Sequence, residues 1–248
     1  MMKYKKLFEQ GSYKWFAIYN PNKQKSLFID SNEYLIVNDS EAMILDPGGI
    51  EFFSEFVSLI SEELDPSKIK YIFSSHQDPD AISSLHLWLE VNPSIKCYSS
   101  WLWISFLSHF GAAEKVFISI PDPGMKIQFG NKELEIVPAH YLHSPGNFHL
   151  YDPLSKIYFS GDIGAAISYD NLDADIFVKD FDSHIINSKL FHQRWMASNE
   201  SKREWCERVS KMDIDMLCPQ HGFIYTGKDV ERFINWFDEL KVGVVGSI

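Results

Sequence analysis

Four short apolar segments of this sequence each end in a loop that carries histidine or aspartate. They cover residues 69–74, 133–137, 157–160 and 214–218, and the loops behind them read SSHQDPD, PAHYLHSPGN, GD and PQHG. Short apolar runs bounded by turn residues are typical of buried β-strands. Because functional side chains concentrate where strands give way to loops, this recurrence predicts a sheet whose strand ends share one polar site.

The loops supply side chains suited to metal binding. In the first loop His76, Asp78 and Asp80 alternate along the chain, so an extended backbone would direct all three side chains to one side. Neutral imidazole combined with anionic oxygen suits first-row metals such as iron, manganese and zinc. The other three loops add His143, Asp162 and His221.

Each loop taken singly has a simpler explanation. Asp-Pro-Asp at 78–80 is good turn chemistry, an aspartate after Gly161 often forms a turn or caps a helix, and a lone His-Gly pair is more often a turn than a ligand. All of those explanations would have to hold at once. Six ligands from four loops instead match what two adjacent metals need, including one bridging carboxylate. The sequence therefore predicts a two-metal site.

The remaining segments predict one layered α/β domain spanning residues 1–248. Helices that interrupt and follow runs of strands indicate sheets covered by helices on their outer faces, and no linker divides the chain. Further strand patterns occupy residues 13–19, 26–29, 33–37, 42–45, 95–98, 116–120, 126–129 and 148–151, and helical spacing occupies residues 51–63, 82–91, 202–211 and 230–240. The aromatic group of Trp88, Trp101, Trp103 and Phe106 is predicted to lie in the core.

Composition and charge indicate which binding partners and which cellular compartment suit this chain. A formal net charge of −11 argues against nucleic acid or an anionic membrane surface as the main partner. Three scattered cysteines without a CxxC pair fit a reducing compartment and predict neither disulfides nor a cysteine metal site. The N-terminus has no apolar signal-peptide centre, and no apolar run is long enough to cross a bilayer. We therefore expect a soluble cytoplasmic protein.

With these motifs in place, the sequence resembles the metallo-β-lactamase superfamily, and within it the di-iron domain of flavodiiron proteins and the stand-alone oxygen-binding di-iron proteins. The superfamily's loop reads HxHxDH and the flavodiiron branch has HxExDH, whereas this chain has HQDPDA, with the acid Asp78 at the third position. The later motifs LHSPGN, FSGD and PQHG are similar to that branch. Asp46 in ILDPGG matches the superfamily's early structural aspartate, and the segment at 191–209 resembles the stand-alone group.

The resemblance implies a four-layer αβ/βα sandwich and two metal ions. The carboxylate and imidazole ligands favour iron, with zinc or manganese as the alternatives. The resemblance implies that one metal is held by His76, Asp78 and His143 and the other by Asp80 and His221, with Asp162 bridging them. Two residues depart from the pattern. Ala81 replaces the motif's last histidine, which should leave the second metal more open, and aspartate in place of glutamate at 78 shortens that arm by one methylene.

Two further histidines, His140 and His149, are candidates to orient the ligands, although each is more readily explained as a structural histidine. The resemblance also implies a homodimer. No GxGxxG or P-loop pattern is present, so we expect no flavin in this chain.

The function that the resemblance implies is binding of O2, with NO as a second ligand, at open iron positions. The protein would act as a sensor, or as a reductase fed by a separate flavoprotein or rubredoxin. The alternative is a two-metal hydrolase of an ester, thioester or phosphoester, in which the metals activate a water. A metal-free scaffold is the third interpretation.

Overall fold

The computed structural model describes residues 2–21, 31–166 and 175–244, and the predicted strand at 26–29 lies outside them. The chain divides into two compact units. The first comprises Met1–Asp122 and Gln128–Lys132, and the second comprises Pro123–Ile127 and Glu133–Ile248. The prediction of a single domain over residues 1–248 stays a prediction.

The first unit is built on a seven-stranded sheet whose strands lie side by side in chain order. The first four strands form an antiparallel meander, and the last four pair in parallel through crossovers. Central strands such as β3 are buried along their whole length, as expected where both faces of a sheet are covered. The strands are β1 Lys3–Gln10, β2 Tyr13–Tyr19, β3 Glu33–Asn38, β4 Glu41–Leu45, β5 Ile69–Phe73, β6 Lys96–Ser100 and β7 Phe117–Ile120.

Short helices lie in the crossovers of this unit: α1 Phe53–Ile60, α2 Pro79–Ile82, α3 Leu85–Val91 and α4 Ile104–Leu107. Helix α1 buries Phe56 and Ile60, and the Phe56 ring lies edge-on to fully buried Trp88, with 5.4 Å between ring centroids. The prediction that the aromatic group lies in the core is correct for Trp88 and wrong for Trp101 and Phe106. These two side chains are 54% and 58% exposed because they sit around the short helix α4, which buries only Leu107.

The second sheet has six strands in the order β13-β12-β11-β10-β9-β8. Pairing is antiparallel along β9, β10 and β11 and parallel between β11 and β12, where Phe159 is opposite Cys218. This parallel pair brings the end of β11 beside the end of β12, so the loops that follow the two strands begin together. The strands are β8 Met125–Phe129, β9 Lys132–Pro138, β10 Phe148–Asp152, β11 Ile157–Phe159, β12 Met216–Cys218 and β13 Tyr225–Thr226.

Three longer helices belong to the second unit: α5 Phe181–Trp195, α6 Asn199–Val209 and α7 Lys228–Glu239. Asp180 and Ser198 cap the N-termini of α5 and α6 by accepting backbone N–H groups of the first turn. Helices α6 and α7 pack through Trp205 and Phe237, whose ring centroids lie 5.8 Å apart. Among the described residues, no helix combines the length and the apolar character needed to span a bilayer.

Candidate metal centre

Two of the predicted ligands lie next to each other at the end of β5. His76 is buried, and its Nε2 lies 3.8 Å from Oδ2 of Asp78. Asp78 has an extended backbone and immediately precedes helix α2, whose first residue is Pro79. A proline is favourable there because its fixed φ suits a helix start and its missing N–H is not needed. The first loop thus presents an imidazole and a carboxylate to the same point.

Asp80 is placed differently from the prediction. Residues Pro79–Ile82 are helical, so the extended geometry ends at Asp78 and the alternation of side chains does not continue to Asp80. Its position in the first turn of α2 is electrostatically favourable for an acid, because the helix dipole is positive at that end. The Asp80 side chain therefore does not follow the predicted alternation, and its role as a ligand stays a prediction.

In the second unit, the three predicted ligands lie close together, with Asp162 between the two histidines. Its Oδ2 lies 2.7 Å from Nε2 of His143, and its Oδ1 lies 3.4 Å from Nε2 of His221. The side chains of Asp162 and His221 are about as buried as the core, at 4% and 5% exposed, whereas His143 is 16% exposed. Each oxygen of one buried carboxylate therefore faces the Nε2 of a different imidazole.

A compact loop between β9 and β10 presents His143. The loop closes through the Ala139 N–H, which donates to the Asn147 carbonyl at 3.0 Å, and the Tyr141 N–H, which donates to the Ser144 carbonyl at 2.8 Å. The buried Asn147 side chain donates to the Leu142 carbonyl. Tyr141 has a φ of +65°, a conformation unfavourable for a bulky residue. These bonds hold the residues on both sides of His143.

The loops that follow β11 and β12 carry Asp162 and His221, and they bond directly to each other. The Ser160 N–H donates to the Cys218 carbonyl at 3.0 Å, and the Gln220 N–H donates to the Gly161 carbonyl at 2.7 Å. The carboxylate and the imidazole are thus fixed by the parallel pairing of their strands. The strand pattern of the sequence and the parallel pairing of β11 and β12 together explain why Asp162 and His221, far apart in sequence, lie close together.

The donor set and its spacing fit metal ions. Two ligand atoms bound at right angles to one metal at about 2.1 Å lie about 3 Å apart. The contacts of Asp162 to His143 and His221, at 2.7 Å and 3.4 Å, bracket that spacing. Imidazole with carboxylate favours iron, manganese or zinc over calcium or magnesium. A carboxylate can bind a different metal with each oxygen, so Asp162 stays the candidate bridge between two metals.

The two candidate orienting histidines make contacts of other kinds. The His140 ring lies edge-on to Phe148, with ring centroids 5.0 Å apart. His149 is fully buried, and its Nδ1 lies 3.0 Å from the Tyr158 hydroxyl. The Trp205 indole N–H is within hydrogen-bond distance of both, at 3.1 Å from Nδ1 and 3.2 Å from the hydroxyl oxygen. These contacts give His149 a structural role in an aromatic cluster. That either histidine orients a metal ligand stays a prediction.

Sequence reasoning missed two polar residues beside the candidate ligands. Ser75 hydrogen-bonds both its neighbour His76 and Asp46, and His192 on α5 hydrogen-bonds Gly164 in the Asp162 loop. The segment at 191–209, which resembles the stand-alone group, supplies both His192 and Trp205. No pattern in the sequence separated these residues from ordinary core positions.

Comparison with known proteins identifies one family. The profile described as "ODP family beta lactamase" matches residues 29–222. A structure titled as the apo state of the chemotaxis sensor ODP from T. denticola is 39% identical and superposes with a TM-score of 0.87, covering 98% of this chain and 96% of that chain. A structure titled as a peroxy diiron species of the chemotaxis sensor ODP is 38% identical, with a TM-score of 0.86 and coverage of 97% and 96%.

Curated relatives are longer proteins. The diflavin flavoprotein A 1 of Synechocystis sp. is 30% identical over 133 residues, which are 53% of this chain and 23% of that protein. The chain spans at most about half the length of the curated relatives that it matches first. The predicted α/β fold of metallo-β-lactamase type is confirmed by these matches.

Proposed function

Because this chain belongs to the ODP family of beta lactamase-type proteins, we propose that it binds two iron ions and takes up O2 at them. The observation that carries the proposal is the position of Asp162 between two imidazoles, which suits a carboxylate bridge between two metals. Two similar structures are of the chemotaxis sensor ODP, one of them in a peroxy diiron form, and they match this chain over nearly its whole length.

The proposed ligands are the six residues predicted from the loops. One iron would be held by His76, Asp78 and His143, the other by Asp80 and His221, with Asp162 between them. Three carboxylates and three imidazoles provide enough negative charge for two cations while leaving positions for an external ligand. When bound, iron would supply open coordination positions and electrons for O2, and NO is proposed as a second ligand of the same positions.

Ala81 supports an open position at the second metal. Its side chain is a buried methyl group in α2, held by a helix bond from its N–H to the Asp78 carbonyl at 3.0 Å. Its carbonyl accepts the Gly48 N–H at 3.1 Å, so the backbone is fixed on both sides. A methyl group cannot coordinate, so residue 81 supplies no ligand where the superfamily's loop has its last histidine.

We propose that O2 sensing is the role, with reduction of O2 or NO as the second candidate. Sensing is favoured by the similarity to the chemotaxis sensor ODP. Reduction is favoured by the diflavin flavoprotein among the relatives, and it would need electrons from a separate flavoprotein or rubredoxin. A homodimer in a reducing, cytoplasmic setting completes the proposal. The reducing setting is supported by the three buried cysteines, which form no disulfide.

Metal analysis and an optical titration test this function. The full chain, purified without added metal, should contain two irons, and the anaerobically reduced protein should gain a visible absorption band on exposure to O2. Reversal of the band on removing O2 would favour sensing, whereas consumption of O2 with an added reductant would favour turnover. Two zinc ions and no spectral response to O2 would contradict the proposal and direct attention to ester and thioester hydrolysis.

A further inference from the structure

We propose that Ser75 is a positioning residue that connects the His76 imidazole to the Asp46 carboxylate and thereby selects the ring nitrogen that meets the metal. The inference deepens the proposed function, because it concerns the support of one of its ligands. The inference depends on the proposed function only in taking the bound metal to be iron. The arrangement of hydrogen atoms follows from the protein alone.

Three buried side chains form a continuous line of hydrogen bonds. The Ser75 hydroxyl lies 2.5 Å from Oδ2 of Asp46 and 2.7 Å from Nδ1 of His76. The Ser75 backbone N–H donates to the other carboxylate oxygen, Oδ1, at 2.7 Å. All three residues are 1% exposed. Ser75 thus makes one bond to each oxygen of Asp46 and one to the imidazole.

The direction of each bond follows from the number of hydrogens available. An ionised carboxylate can only accept, and a hydroxyl has a single hydrogen to donate. Ser75 gives that hydrogen to Asp46, so its oxygen must accept from the imidazole. His76 therefore carries its N–H on Nδ1 when neutral. The lone pair is then on Nε2, the nitrogen that faces Asp78 at 3.8 Å.

The rest of the loop holds this line in place. Asp46 has a φ of +47°, a conformation that aspartate tolerates better than most residues, and its N–H donates to the Phe73 carbonyl at 2.9 Å. The neighbouring Ser74 hydroxyl donates to the backbone carbonyl of His76 at 2.7 Å. The two serines therefore divide the support of His76, since Ser74 holds its backbone and Ser75 holds its ring.

The inference is tested first on the full chain without metal. Long-range ¹H–¹⁵N correlation spectra of the histidine rings, assigned with His76→Gln, report which nitrogen of His76 carries the proton. The wild-type protein should show the Nδ1–H form. Ser75→Ala should lose this preference and shift His76 toward the Nε2–H form. The matched control Ser74→Ala removes a hydroxyl from the adjacent buried position and should keep the wild-type form.

Asp46→Asn gives the sharpest outcome. The asparagine oxygen accepts the Ser75 N–H, and its NH2 group donates to the Ser75 hydroxyl oxygen. The serine hydrogen is then released to donate to Nδ1 of His76, which forces the ring into the Nε2–H form. An Nε2–H form in the wild-type protein, or unchanged Nδ1–H populations in both Ser75→Ala and Asp46→Asn, would overturn the inference.

Metal affinity provides the second readout. Anaerobic Fe(II) titration of Ser75→Ala should show binding about 10–100-fold weaker than wild type, the usual effect of losing a partner of a metal-bound histidine. Ser75→Thr, which restores the hydroxyl, should recover the affinity and the Nδ1–H form. If Ser75→Thr instead gives the spectrum of Ser75→Ala, the hydroxyl of residue 75 does not position the His76 ring. If the wild-type chain binds no iron, the proposed function fails, and the spectra of the metal-free variants still decide the role of Ser75.

Discussion

The buried imidazole of His192 accepts the backbone N–H of Gly164 at 3.0 Å, two residues beyond Asp162. Its other nitrogen, Nδ1, donates to the Ser188 carbonyl at 2.8 Å. The carbonyl of Gly164 accepts the Tyr225 hydroxyl at 3.2 Å, so buried side chains bond both polar groups of this glycine. A side chain at 164 would lie 3.0 Å from Leu217 and the φ is +98°, which explains the glycine. The Asp162 loop therefore depends on a neutral His192.

The first prediction concerns the pH dependence of stability. Burial lowers the pKa of His192 from 6.5 to about 4, so between these values the unfolded chain binds a proton that the folded chain does not. The contribution of His192 to stability is complete above pH 6.5 and declines as the pH falls toward 4. The loss should reach about 3 kcal/mol of unfolding free energy at pH 4. Urea denaturation across this range measures it.

The matched control is His192→Gln. A glutamine oxygen can accept the Gly164 N–H but does not titrate, so the variant should be less stable at pH 7 and show a shallower decline from pH 6.5 to 4. The same slope in the variant and the wild type would assign the pH dependence to other groups.

Helix α5, which carries His192, lacks the sequence pattern by which a helix is predicted. The side that it buries includes His184, Ser188 and His192 at intervals of four residues, whereas Ile186 and Leu190 are exposed. Because polar residues face inward, the apolar spacing typical of a buried helix face is absent, and no helix was predicted there. The helix forms because its polar residues find partners that only the folded chain supplies.

Most strands were predicted because they are continuous runs of apolar residues, which the structure buries. Residues 69–74 were predicted as a strand and β5 spans Ile69–Phe73, whereas β1, Lys3–Gln10, was missed. Strand β1 pairs on one side only and is largely exposed, so its sequence KYKKLFEQ carries the charges expected of a sheet edge. An edge strand is defined by its neighbour, and its own residues do not show the pattern of a buried strand.

The candidate ligands were easier to predict than the residues that support them. Asp162 and His221 each follow an apolar strand directly, so their position in the sequence marks them. Ser75 and His192 act through Asp46 and Gly164, which lie 29 and 28 residues away along the chain. Such support depends on tertiary contacts, and the types of residue involved are also common in ordinary cores.

A second prediction tests the packing of the last helix. The buried Lys202 ammonium donates to the Phe237 carbonyl at 2.8 Å and to the Asp238 carbonyl, at the C-terminal end of α7. Lys202→Met keeps much of the apolar stem but leaves these carbonyls without their donor, so the free energy of unfolding should fall by about 2 kcal/mol. Chemical denaturation at pH 7 measures the change. Exposed Lys211→Met is the control, and equal midpoints for both variants would refute the capping role.

A third prediction concerns the proposed bridge. Asp162→Asn keeps the shape of the side chain but removes its charge, so one oxygen no longer binds a cation well. The iron content of the purified protein should fall from two to one or fewer per chain, and the O2-dependent absorption band should disappear. Asp182→Asn, an exposed substitution in the same unit, should retain the full iron content. Full metal occupancy in Asp162→Asn would show that Asp162 is not a ligand.

The fourth prediction follows from Ala81. Ala81→His restores the last histidine of the superfamily's HxHxDH loop, so the second iron should bind at least about tenfold more tightly, equivalent to about 1.4 kcal/mol. The new ligand would occupy the open position, and the O2-dependent absorption should weaken or form more slowly. Anaerobic Fe(II) titration and stopped-flow absorption measure the two effects.

The buried position of Ala81 makes a steric control necessary for that test. A larger side chain in a packed site costs about 1–3 kcal/mol of stability whether or not it coordinates. Ala81→Leu has similar bulk and no donor atom, so it should be destabilised without binding the second iron more tightly. If Ala81→Leu slows the reaction with O2 as much as Ala81→His while neither tightens iron binding, bulk at position 81 restricts access of O2, and residue 81 does not face the metal.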